Sequence, residues 1–237
     1  MIAIFRRLLL PALLIALLPA VTAAPPRKAA APAATRDWSQ VATRTSSGSF
    51  VQGNPAAKVR LVEFLSFTCP HCARFEEGAQ PALTQRYIKT GLVSYEVRIA
   101  LRDPFDLAAA VLARCGGPRA FFAVKPAVYA AQNTWLTKGQ EWGATNPKLE
   151  GLSEAQAGKA VAAGAGLDTF FLSHGLTRPQ IEACLGNVAE QKALSAAAQQ
   201  IWQPGFPGTP AFLINGVQTD GVASWSDLEP KLKKAIG

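Results

Sequence analysis

The chain is 237 residues long and carries 24 Lys and Arg against 16 Asp and Glu, a net charge of +8. That length suits one domain, or one domain interrupted by a second. The basic excess is not gathered into a Lys/Arg block or a groove interleaved with aromatics, which excludes a nucleic-acid reading and leaves solubility or attraction to anionic surfaces.

The first 23 residues read as a leader outside the fold. Arg6 and Arg7 precede an apolar run from Leu8 to Leu18, interrupted by Pro11, and small residues follow up to Ala23. A basic start, a short apolar core and small residues before a cleavage point describe a cleavable secretory signal peptide. Cleavage after Ala23 fits better than after Ala24, which would leave Pro25 at the new terminus. An uncleaved anchor is the alternative, although the run is short for a membrane span. No cysteine stands near the cleavage point to carry a lipid. Export to the periplasm is therefore expected, where disulfides persist, and the four cysteines form an even count. Loss of Arg6 and Arg7 with the leader takes the charge from +8 to +6.

Residues 24–48 open Ala/Pro-rich and predict a flexible tether. Ser49 to Gly53 gives a short strand before the turn at Asn54-Pro55. Val59 to Phe67, rich in Val, Leu and Phe, predicts a buried strand. Its odd member is Glu63. A carboxylate in a buried strand is costly when charged, so its pKa should rise; the alternative is that Glu63 faces water or pairs with a base. Beyond the strand, Phe75, Ala79, Leu83 and Tyr87 recur at helical spacing. Thr90-Gly91 ends that helix, and Leu92 to Leu101 alternates as a second main strand.

From Asp103 helical patterns dominate. Phe105 to Cys115 is apolar and closed by Gly116-Gly117-Pro118. Arg119 to Thr134 follows, with Pro126 expected to kink or break it. Thr137 to Gly151 is polar with Gly and Pro and reads as a loop. Ser153 to Ala165, Thr177 to Leu185 and Ala189 to Trp202 predict further helices. Ala211 to Ile214 and Val217 to Thr219 flank Asn215-Gly216, a strong hairpin signal, and Ser224 to Ile236 closes the chain as a helix. Strands on both sides of a helical block suggest one sheet split in sequence.

The chemistry lies in Cys69-Pro70-His71-Cys72, at the junction of the buried strand and its helix. Unpaired N–H groups and the positive end of the helix dipole favour an anion there, so a thiol at Cys69 ionises more readily, and the thiolate is the nucleophile. The two-residue spacing lets Cys72 reach back to Cys69. Pro70 loses nothing in the first turn, where no N–H is needed, and His71 adds a proton donor or a positive charge. Stabilising the thiolate stabilises the reduced form, which makes the disulfide a stronger oxidant. A zinc site would want a second such pair, and the sequence has none; a structural staple is the other bland reading. His174 stands alone and reads as a surface or loop residue. Trp135, Trp142 and Trp202 are expected in the core, with a groove lining as the alternative.

With these residues assembled, the chain resembles the DsbA family of thioredoxin-fold oxidoreductases. The resemblance rests on Glu63 to Cys72, on Phe75-Glu76, and on Gly208-Thr209-Pro210-Ala211-Phe212 before the Asn-Gly hairpin. It implies an α/β, thioredoxin-like fold with an inserted all-helical domain: a first part over 49–102, the insertion over 103–195 and a second part over 196–237. It also implies that Cys69 attacks and Cys72 resolves, that Glu63 is a buried acid beneath them, and that Pro210 is a cis-proline holding Thr209 open to a substrate chain. Thr209 differs from the Val common in the best-known oxidases. Cys115 and Cys184, absent from many members, read as a structural disulfide, with two free thiols or a second exchange pair as alternatives. The implied partners are reduced secreted proteins and a DsbB-like membrane oxidase. No cofactor, metal or nucleic acid is expected, and a monomer is. The implied activity is disulfide formation; isomerase, reductase and chaperone or binding-module readings stay open.

Overall fold

The computed structural model describes residues 36–146, 149 and 151–237. The leader, and the Ala/Pro-rich start of the tether, lie outside the described residues. No helix among those described is long and apolar enough to cross a membrane.

A six-stranded sheet has the order β1-β2-β4-β3-β5-β6. Its centre is β3 (Val59–Leu65) beside β4 (Val93–Ile99), in parallel register from Val59 opposite Val93 to Leu65 opposite Ile99. The side chains of Val59, Leu61, Glu63 and Leu65 share one face by strand periodicity, and all four are buried. Tyr95 and Val97 continue that face on β4 and are buried too. On one flank β2 (Phe50–Gly53) runs antiparallel to β4, and β1 (Ala42–Arg44) to β2. On the other, β5 (Ala211–Ile214) runs antiparallel to β3, setting Phe212 opposite Glu63, and β6 (Val217–Gln218) closes the hairpin.

Helix α1 (Pro70–Ala82) connects β3 to β4, continuing as a π-helical stretch over Leu83–Ile88. Phe75, Ala79, Leu83 and Tyr87 are all buried, and Phe75 packs on Phe212 with ring centroids 4.6 Å apart. The insertion comprises α2 (Pro104–Arg114), α3 (Gly117–Ala130), α4 (Gln132–Thr145), α5 (Glu154–Gly164), α6 (Leu167–Ser173), α7 (Arg178–Leu185) and α8 (Val188–Ile201); α9 (Trp225–Ile236) ends the chain. The architecture is a mixed α/β thioredoxin core carrying an all-helical insertion.

Three expectations are corrected. Thr137 to Gly151 is not a loop, because α4 runs to Thr145. Its Gly139 is a packing notch: a Cβ there would stand 2.9 Å from the Phe105 ring. Of the two effects expected of Pro126, a kink or a break, the break is absent, since α3 runs from Gly117 to Ala130. The tether does not extend to residue 48: Trp38–Gln40 forms a 3-10 turn capped by Asp37, and β1 pairs Arg44 with Phe50. A three-residue strand has too few positions to show alternation, so only its partner makes it a strand.

The candidate active site

Cys69 is the N-cap of α1, in extended conformation, with Pro70 in the first turn. The apolar strand delivers the chain to this point, and a proline with fixed φ starts the helix. Cys69 and Cys72 are both free thiols, and both are buried, at 2% and 0% exposure.

The two sulfurs are pushed in opposite directions. Cys69 is held down at about 5, first by a hydrogen bond from the Cys72 thiol, then by the Thr209 side chain and the backbone N–H groups of Cys72 and His71, against the opposing effect of burial. In its thiol form Cys69 donates to the Thr209 carbonyl, 3.2 Å away; that contact favours the proton, and the donors outweigh it. Cys72 is raised far above the ordinary thiol range, first by burial, then by Cys69 and the Glu63 charge. His71 is exposed, and its Nδ1 accepts from the Arg74 guanidinium at 2.7 Å. What His71 gives the sulfur is its backbone N–H. The Thr209–Pro210 bond is cis, and Pro210 leads directly into β5.

Beneath the cysteines lies a buried polar chain. Burial raises Glu63 to about 7, opposed by the charge of Lys125. Tyr95 donates its hydroxyl to Glu63, Lys125 donates to the Tyr95 oxygen at 3.2 Å and also to Glu76. Lys125 and Glu76 are 3% and 4% exposed. The second Glu76 oxygen is the only buried side-chain polar atom among the described residues without a hydrogen-bond partner. Glu63 therefore neither faces water nor pairs directly with a base; Tyr95 stands between it and Lys125.

The loop from Ser66 to Cys69 is held by side chains of the insertion. Asp106 accepts from the Phe67 N–H at 2.8 Å; it is fully buried, and that burial raises it to about 7. Asp103, the N-cap of α2, accepts from the Thr68 hydroxyl at 2.6 Å. Tyr129 donates to the Ser66 carbonyl at 3.1 Å. Gln132 donates to the carbonyls of Phe67 and Cys69, at 2.7 and 2.9 Å.

A disulfide joins Cys115, at the end of α2, to Cys184 in α7, with Cα atoms 5.8 Å apart. His174 is exposed and stacks on Phe170 with ring centroids 4.0 Å apart. Trp135 is in the core, but Trp202 is 41% exposed and donates to the Leu101 carbonyl. The core reading of Trp202 is thereby corrected: it lines a cavity with Asp103, Pro104 and Leu107. Among the described residues, no group of three or more His, Cys, Asp and Glu is gathered as metal ligands.

Sequence reasoning missed Glu76, Tyr95, Asp106, Lys125 and Gln132 as site residues. A signal existed for two of them. Phe121, Phe122, Lys125, Val128 and Tyr129 sit at helical spacing, so Lys125 interrupts a buried face, and Gln132 continues it one turn on.

A family model described as Thioredoxin matches residues 45–234. A relative from Rickettsia typhi is 31% identical over 183 residues, 76% of this chain and 60% of its own length. One from Rickettsia bellii is 30% identical over 199 residues, 83% of this chain and 68% of its own. Both are provisionally named protein-disulfide oxidoreductases. The chain thus spans about three fifths to two thirds of the length of these relatives. A crystal structure described as protein-disulfide isomerase from Novosphingobium aromaticivorans superposes with a TM-score of 0.70 at 32% identity, covering 79% of this chain and 96% of that one. The α-DsbA1 of Wolbachia pipientis superposes with a TM-score of 0.60 at 22% identity, over 82% of this chain and 94% of its own, and speaks for the fold alone. With the cysteine pair at the head of α1 and the helical block inserted in the sheet, these findings make the chain a member of the thioredoxin family, similar to proteins named as protein-disulfide oxidoreductases.

Proposed function

We propose that this chain is an exported thiol:disulfide oxidase of the periplasm that introduces disulfides into reduced secreted proteins through Cys69 and Cys72. The observation that carries the reading is the opposed setting of the two sulfurs: Cys69 favoured as a thiolate, Cys72 buried and held as a thiol. A substrate thiolate attacks Cys69 in the Cys69–Cys72 disulfide. The Cys69–substrate bond forms, the Cys69–Cys72 bond breaks, and Cys72 leaves with the electron pair. Its sulfur takes a proton, in this reading from Glu63, whose charge acts on Cys72. A second substrate thiolate then attacks the substrate sulfur of the mixed disulfide. Cys69 leaves as the stabilised thiolate, and the substrate departs oxidised. The contact of Thr209 with Cys69, beside the cis bond to Pro210, supports its assignment as the residue whose backbone pairs with the incoming chain. A DsbB-like membrane oxidase would restore the Cys69–Cys72 disulfide, and the Cys115–Cys184 bond serves the fold of the insertion.

The deciding experiment is the redox equilibrium of the Cys69–Cys72 pair with glutathione. The expected result is a disulfide that oxidises glutathione readily; a potential near that of thioredoxin, about −270 mV, would leave a reductase instead. The second reading, an isomerase, is favoured by the description of the Novosphingobium structure. Refolding of scrambled ribonuclease, with a sizing column to report oligomeric state, separates the two. A chaperone or binding module would keep its cellular activity in Cys69→Ala; an oxidase would lose it.

A further inference from the structure

We infer that Gln132, contributed by the helical insertion, is a positioning residue for Cys69: its amide fixes the peptide that follows Cys69, so that the sulfur stays over the first N–H groups of α1.

Gln132 is the first residue of α4 and is 7% exposed. Its amide nitrogen donates to two carbonyls that bracket Thr68, those of Phe67 at 2.7 Å and Cys69 at 2.9 Å. Two carbonyl acceptors fix the amide orientation, since only the NH2 end can satisfy both. The Cys69 carbonyl belongs to the peptide joining Cys69 to Pro70, which has no N–H. The rotation of that peptide is set by what holds its oxygen: the Ala73 N–H at 3.2 Å and Gln132. It decides whether the Cys69 sulfur meets the N–H groups of His71 and Cys72, two of the donors that favour its thiolate. The insertion thereby reaches the reacting atom without touching it. Asp106, Asp103 and Tyr129 hold Phe67, Thr68 and Ser66 in the same loop, but among these four side chains only Gln132 bonds the Cys69 backbone.

The inference rests on the reading of Cys69 as the attacking thiolate, and the test keeps the two apart. The thiolate absorbance of Cys69 is titrated in the full chain, in Gln132→Met, which keeps the length but has no donor, and in Val161→Ala, a buried substitution in α5 that controls for lost stability. The expected result is a midpoint about one unit higher in Gln132→Met, a tenfold loss of thiolate preference. A matching shift toward the enzyme disulfide is expected in the glutathione equilibrium, while Val161→Ala keeps the starting midpoint. A lowered melting temperature in Gln132→Met with an unmoved midpoint overturns the positioning role and leaves a structural one. An ordinary thiol midpoint in the unsubstituted chain instead sinks the oxidase reading itself. Should Gln132→Met not fold, Gln132→Asn, whose amide stands one methylene further from the loop, gives the same reading at smaller amplitude; failure of both to fold also assigns Gln132 to structure alone.

Discussion

At the scale of single residues, Cys69 depends on a small number of donors and Cys72 on its burial. The Cys72 thiol is the largest influence holding Cys69 down. Removing it in Cys72→Ala should raise the Cys69 midpoint from about 5 toward the ordinary thiol value, whereas Cys72→Ser, which keeps a donor in place, should hold it low. Thiolate absorbance against pH checks both, and equal midpoints in the two variants would refute the assignment. Glu63 carries a second residue-scale prediction. Its carboxyl is raised from 4.5 to about 7, mainly by burial, so between those values the folded state binds more protons than the unfolded one. Stability from this group is present below 4.5 and is lost as pH rises through 7. Glu63→Gln should therefore be more stable than the parent at pH 8, by on the order of 3 kcal/mol, with little difference at pH 4. Asp106, also raised to about 7 by burial, contributes a slope of the same sign that the variant retains. Urea melts at both pH values measure the difference, and a variant less stable than the parent at pH 8 would contradict the charge assignment.

At the scale of elements, the buried Lys125–Glu76 pair ties α3 to α1. Lys125→Met leaves Glu76 without its partner and should cost about 3–5 kcal/mol. The double variant Lys125→Met/Glu76→Leu should recover most of that loss, because no uncompensated charge remains. Denaturant melts of the single and double variants report it, and a double variant no better than the single would show that packing dominates. Much at this scale was legible in the sequence, because periodicity reports burial. α1 puts its apolar residues on one face at helical spacing, β3 and β4 are short apolar runs rich in β-branched residues, and Asn215-Gly216 marks the hairpin, all patterns that a window of residues displays. The misreadings have physical causes. Gly139 and Gly143 look like breaks in α4, yet both lie against Phe105 of α2, a contact invisible before the helices are packed. Pro126 forfeits one helical bond, and the packing of α3 on α1 outweighs it. The candidate site divides the same way. Cys69, Cys72, Thr209 and Pro210 stand in local motifs. Tyr95, Lys125 and Gln132 reach the site from 26 to 63 residues away along the chain, and no local pattern names their targets.

At the scale of the whole molecule, side chains of the insertion hold the active-site loop, and on the proposed reading that loop tunes the sulfur chemistry. Four side chains from α2, its cap, α3 and α4 hold backbone or side-chain groups between Ser66 and Cys69. The sulfur chemistry should therefore be visible in the stability of the entire fold. A thiolate favoured by the folded protein makes the reduced form more stable than the oxidised form, the same free energy that makes the disulfide oxidising. Reducing Cys69–Cys72 should raise the melting temperature at neutral pH. The sign with pH follows from the lowered value of Cys69: the stabilisation is fully present above the unfolded thiol value of 9.0 and falls as pH drops to about 5. The gap between reduced and oxidised melting temperatures should therefore be widest near pH 9, about half as large at pH 7, and closed below pH 5. Calorimetry in glutathione buffers, with mass spectrometry confirming that Cys115–Cys184 stays intact, measures it. A gap that is constant with pH, or an oxidised form that melts higher at pH 8, would mean that the thiolate is not what drives this pair toward reduction.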